Sequence, residues 1–118
     1  MILVINEKES AVLALHLAIM RKSYKKLIKR DYKARRDVLM QSYDYLLEMV
    51  KEAVESENEV NEVHLDELDR EVLCAVLSSY VDKLGEIDLN EEMIEQLQTM
   101  KELELRCKEL MQCEHETA

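Results

Sequence analysis

Apolar positions along the chain return every three or four residues, the period of an α-helix buried on one side. Leu13, Leu17, Met20, Tyr24 and Leu27 make one stripe, and Leu39, Tyr43, Leu46, Val50 and Ala53 a second. A third runs through Leu68, Val72, Leu73, Val76, Leu77, Tyr80, Val81 and Leu84. A fourth joins Met93, Leu97, Met100, Cys107 and Met111, widened by Leu103 and Leu110. The spacing predicts helices over 7–28, 32–55, 67–84 and 91–112. Val12, Leu15 and Ile19 cover other faces of the first helix, which is therefore expected to have neighbours on several sides.

The helix starts follow one grammar. Asn6 can accept from the amide of Glu9 while the Glu9 carboxylate reaches back, and Asp66 with Asp69 offers the same exchange. Val4-Ile5-Asn6-Glu7, His64-Leu65-Asp66-Glu67 and Asp88-Leu89-Asn90-Glu91 each place an apolar residue before an Asn or Asp cap and a Glu. The echo is too short to read as a repeat. Residues 1–5 become an extended lead-in lying across the helices, and the polar, acidic stretch 57–61 a loop. Gly85 is the expected left-handed stop of the third helix. The first junction is less marked: the turn is placed at 29–31, with Asp31 capping the second helix. One unbroken helix from Glu7 to about Ser56 is the alternative. It would be roughly 75 Å long and would need a dimer to cover it.

Composition narrows the fold further. The chain has one Gly and no Pro, Phe or Trp, so the usual punctuation of strands and the aromatics of sheet cores are missing. The expected fold is all-α, a single domain over 1–118: an up-down bundle of four main helices behind a short extended lead-in. The apolar run from Ala11 to Met20, broken only by His16, is well short of the roughly 20 residues of a membrane span. The mixed charges of Glu7, Lys8 and Glu9 before it do not suit a secretory signal. Three cysteines cannot all pair within one chain, so they are expected as reduced thiols in a cytoplasmic protein.

Net charge is −10, which disfavours an anionic membrane or nucleic acid as a partner for the whole surface. The charge is uneven, however. Arg21, Lys22, Lys25, Lys26, Lys29, Arg30, Lys33, Arg35 and Arg36 crowd into sixteen residues. Lys22, Lys26, Lys29, Lys33 and Arg36 would form a single stripe if helical geometry held through the turn. Such a stripe suits a phosphate backbone or an acidic partner. It equally suits pairing with the chain's own acidic helices, or a helix C-terminus.

Candidate chemistry is sparse. His16 has no nucleophile or carboxylate arranged with it in sequence and reads as a core histidine with one hydrogen bond. Glu104 falls on the fourth stripe, where a buried carboxylate must be paired or protonated, so that either a Lys or Arg reaches it or the seam is open at that end. Cys107, Cys113 and His115 do not have zinc spacing, Cys74 reads as a small core residue, and the ten carboxylates of 48–71 read as a solvated face. No Gly-rich phosphate loop, nucleophile elbow or metalloprotease motif is present. No catalytic residue, metal or cofactor is therefore assigned.

Helix 2 carries a surplus stripe of Val38, Tyr45 and Met49, about 100° from its core stripe. It is covered either by the lead-in or the C-terminal tail, or by a partner. Met and Tyr are common at partner surfaces. The expected function is non-catalytic protein–protein interaction by a small intracellular regulator, adaptor or inhibitor. Its partner is another protein or a second copy of the chain. The alternative is a nucleic-acid-binding regulator using the basic segment.

Overall fold

The computed structural model describes residues 1–85 and 88–117, with side chains as far as Leu110. Most of these residues lie in α1 (Glu7–Asp31), α2 (Arg36–Glu55), α3 (Glu67–Leu84) and α4 (Glu91–Thr117). Two strands, β1 (Ile2–Asn6) and β2 (Val60–His64), pair antiparallel. The all-α expectation mostly holds, with four helices as expected, and the ribbon is an addition to it. The lead-in is a strand, and the stretch read as a loop runs into its mate. Both were hard to see because apolar residues occupy both faces. Leu3, Ile5 and Val63 point into the core, while Ile2, Val4 and Val60 stay exposed. The alternation that marks a half-buried strand is thereby blurred.

The core lies between the inner face of the ribbon and the helices. α1 packs on α2 and α4, and α3 packs on the same two helices. The expected stripe of α2 is buried in full, from Leu39 to Ala53. On α1, Leu13, Leu17 and Met20 are buried as expected, and Ile28 takes the place expected for Leu27. The neighbours expected around α1 reach Val12 but not Leu15 or Ile19, which remain exposed.

The halves of the chain repeat one another. Across the ribbon Leu3 lies opposite Val63, Ile2 opposite His64 and Val4 opposite Glu62. A shift of 60 residues therefore carries Ile2, Leu3 and Val4 onto Glu62, Val63 and His64, about a local two-fold axis at the Leu3–Val63 pair. The same shift carries the Asn6–Glu9 capping box onto that of Asp66 and Asp69. It also carries buried Val12, Leu13 and Leu17 onto buried Val72, Leu73 and Leu77. A shift of 57 residues carries buried Ser42, Tyr43, Leu46 and Val50 of α2 onto Thr99, Met100, Leu103 and Cys107 of α4. The domain is two strand–helix–helix units facing one another, and the shared start grammar is its trace in the sequence.

Equivalent carbonyls are satisfied at the two ribbon edges, by donors from non-equivalent positions. The Arg106 guanidinium donates to the Val4 carbonyl at 2.8 Å, and the Tyr45 hydroxyl donates to the His64 carbonyl at 2.7 Å. Each outer edge thus has a backbone acceptor satisfied by a side chain, which discourages further strand pairing. Arg106 also pairs with Glu9, the buried carboxylate of the first capping box. Glu104 is held by Lys108 at 2.8 Å, the cation its position called for.

Several junctions differ from expectation. α1 continues to Asp31, and a short 3-10 turn (Lys33–Arg35) leads into α2, which has no side-chain cap. Asp31 cannot cap α2 because it is the last residue of α1 and α2 starts only at Arg36; its carboxylate is paired with Arg30 at 2.9 and 3.1 Å. The single long helix is excluded by this turn and by a longest dimension of 39 Å. Gly85 is not left-handed (φ −67°). Its amide bonds the Val81 carbonyl, so it caps α3 at Leu84 with right-handed backbone rather than the left-handed turn. The left-handed residue is Glu57, with φ 58°, just beyond α2. Among the cysteines, Cys74 of α3 and Cys107 of α4 are joined as a disulfide, their Cα atoms 6.0 Å apart. This corrects the expectation of three free thiols. The two positions face each other only once α4 has packed on α3. The α4 backbone is helical to Thr117, past the fraying expected after Cys113. The expectations for the side chains of Met111, Cys113 and His115 lie outside the described residues.

Candidate protein-interaction site

A groove of about 700 Å³ opens between the C-terminal half of α1, the 3-10 turn and α3. Its floor is apolar, built from Met20, Leu39, Val72 and Val76. Leu27 and Tyr32 stand at its lip, 38% and 52% exposed. The helical period explains why they are there. Leu27 is one position out of step with Ile28, which takes the buried site, so its side chain lies over the groove. Tyr24 closes one wall, its ring stacked on Tyr43 with centroids 4.8 Å apart. Burial is the main cause of a raised Tyr24 pKa, followed by the charge of Glu71.

Cations stand around this floor. Lys26, Arg30 and Arg35 come from the first half of the chain and Lys83 from the last turn of α3. The carboxylate among them is Glu71, 3.6 Å from Arg35. Arg30 is engaged with Asp31. Lys26 and Lys83 form no ion pair among the described residues. The rim is thus a local inversion of charge in a chain of net charge −10.

The five-residue basic stripe is not continuous. The turn after Asp31 breaks the helical register on which it depended. Lys29 and Arg36 meet across a shallow cleft between α1 and α2, with Arg21 and Lys25. Lys26 lies on the larger groove, whereas Lys22 and Lys33 are exposed and line neither. Arg21 binds Asp44 in a two-pronged ion pair at 2.7 and 3.0 Å, which holds that carboxyl below its ordinary range. Arg36 sits 3.5 Å from its neighbour Asp37.

The surplus stripe of α2 divides as well. Met49 packs against the core, Tyr45 is 38% exposed with its hydroxyl on β2, and Val38 is 50% exposed. Val38 and Tyr45 border an open depression shared with Ser42, His64 and Asp69. The groove between α1 and α3 is the feature that sequence reasoning missed. Its sequence trace was the apolar Leu27 and Tyr32 inside the basic segment, but Leu27 fell on the expected core stripe, and joining the two to Val76 and Lys83 requires the tertiary fold.

His16 is buried and uses both ring nitrogens. Nδ1 lies 2.9 Å from the Tyr80 hydroxyl and Nε2 lies 2.8 Å from Oε1 of Gln96. With the Gln96 carbonyl as acceptor, Nε2 carries the hydrogen and Nδ1 accepts from Tyr80. Neither nitrogen is presented to a substrate. Among the described residues no cluster of His, Cys, Asp or Glu is arranged to hold a metal ion. Nor, among the described residues, is any helix long and apolar enough to cross a membrane. Comparison with protein-family models, with curated proteins and with solved structures found no match to this chain.

Proposed function

We propose that this chain is a non-catalytic protein–protein interaction module, a small regulator, adaptor or inhibitor. The observation that carries this reading is the groove between α1 and α3. Its apolar floor and exposed Leu27 and Tyr32 lie beside a cationic rim, in an otherwise acidic chain. Apolar surface rimmed by polar groups is how contact sites on folded domains are built. The reading treats the four helices as an up-down bundle that holds the groove walls rigid. Affinity capture from the native cell, with light scattering for mass, tests it. The expected result is a stoichiometric protein partner or a defined dimer. A clean monomer that captures nothing would count against it.

A nucleic-acid-binding regulator is the second reading. It is favoured by Lys22, Lys26, Lys29 and Lys33, all exposed and without an ion pair among the described residues. Against it, Tyr24 is stacked on Tyr43, and the exposed face of the ribbon carries Ile2, Val4, Val60 and Glu62 rather than cations. Binding of labelled DNA and RNA across a salt series separates the two readings. A signal that falls steeply with salt supports nucleic acid, and none at low salt removes it.

A further inference from the structure

We infer that the groove between α1 and α3 receives an amphipathic helix of a partner protein whose apolar face is flanked by Asp and Glu. This inference rests on the interaction reading above and gives the partner its chemistry.

The walls decide the mode of recognition. Both are helices, whose mid-helix amides and carbonyls are bonded within the helix itself. The groove therefore offers no strand edge to an extended peptide, and the edges of the ribbon are already engaged by Arg106 and Tyr45. Recognition must then go through side chains. A helix laid in a groove, with apolar anchors at i, i+3 or i+4, and i+7, meets that condition. Met20, Leu39, Val72 and Val76 supply the floor for those anchors. Leu27 and Tyr32 can close over them from the lip.

Charge sets the flanks. The rim holds Lys26, Arg30, Arg35 and Lys83, and its carboxylate Glu71 is already beside Arg35. A partner helix with acidic residues on either side of its apolar stripe would meet cations there. A basic helix would be repelled. A second copy of this chain fits less well. Its outward apolar helix residues, such as Leu15 and Ile19 on α1 and Ile94 and Leu105 on α4, do not line the groove. Docking them on it would be head-to-tail rather than a two-fold contact.

The two-fold character of the domain isolates this surface further. The groove residues Met20, Leu39 and Val76 correspond to Tyr80, Gln96 and His16 in the other half. There the equivalent crossing is filled by a hydrogen-bonded polar triad. The halves have diverged so that one crossing carries an apolar floor and the other does not.

The test uses the full chain and a displayed library of helical peptides about four turns long, randomised on their surface positions. Enriched peptides are expected to carry three apolar anchors at helical spacing, flanked by Asp and Glu. In nuclear magnetic resonance titrations they should shift the amides of Leu27, Tyr32 and Lys83. The double variant Lys26→Glu with Lys83→Glu should bind them about tenfold more weakly. Both lysines lie at the surface, so its thermal melt should match the parent. Enrichment without acidic bias, shifts at the Val38–Tyr45 face instead, or no enrichment would overturn the inference. So would a doubled mass in which the groove amides become protected, because a second copy would then be the occupant. If a cellular protein is captured while no peptide enters the groove, the interaction reading stands and the groove assignment falls.

Discussion

Two single residues carry costs that can be measured. Glu57 holds a left-handed backbone (φ 58°) immediately after α2, a conformation that disfavours any residue with a Cβ. Glu57→Gly should therefore raise stability by up to about 1 kcal/mol, after allowing for the greater freedom of glycine in the unfolded chain. A urea titration would read the gain, and a loss would show that the Glu57 side chain supports the turn. Tyr43 is the second case. It is fully buried and its hydroxyl donates to the Leu17 carbonyl. Burial, first among the causes, drives its pKa far above the ordinary phenol range. Above about pH 10 the unfolded chain would release that proton while the folded chain keeps it. Stability should be intact below pH 10 and fall as pH rises beyond it. Tyr43→Phe, although less stable at neutral pH, should show a shallower alkaline decline. An equally steep decline would place the effect on other groups.

At the level of elements, the domain depends on how its two halves meet. The His16–Tyr80–Gln96 triad occupies the position that Val76, Met20 and Leu39 occupy in the other half. His16→Val alone would leave the Tyr80 hydroxyl and the Gln96 carbonyl without their shared partner, at a cost of about 1–2 kcal/mol. The triple variant His16→Val, Tyr80→Met, Gln96→Leu copies the apolar crossing and should recover most of that loss. A triple variant less stable than the single one would contradict the equivalence of the halves. The Cys74–Cys107 disulfide ties α4 to α3 across 33 residues. Closing a loop of that size restricts the unfolded chain by about 3–4 kcal/mol in the loop-entropy account. Reduction should lower the unfolding midpoint by a matching amount, whereas Cys74→Ser with Cys107→Ser should be unaffected by reductant. A parent protein indifferent to reductant would mean that the packing of α3 on α4 does not need the bond.

For the whole molecule, the helical framework was legible in the sequence because each helix has one dominant apolar stripe. The stripe of α2 was read correctly from Leu39 to Ala53. So were the caps at Asn6 and Asp66, where a short side chain and a carboxylate three residues later leave little choice. The ribbon was not legible, because Ile2, Val4 and Val60 are apolar yet exposed. The two-fold relation was hidden by divergence. Val12, Leu13 and Leu17 recur as Val72, Leu73 and Leu77, and Leu46 as Leu103, but most other positions differ, and His16 corresponds to Val76. The candidate site was half legible. The basic segment was plain, but its stripe assumed a helix that breaks after Asp31. Half of the apolar floor it borders, Val72 and Val76, comes from α3, far along the chain.

The central claim is that this domain works by holding a protein in the α1–α3 groove. Hydrogen exchange on the full chain, free and with its captured partner, tests it most directly. The account predicts slowed exchange at the amides around Leu27, Tyr32 and Ser79, with the ribbon and the Val38–Tyr45 face unchanged. Protection confined to that face, or to the ribbon, would contradict it.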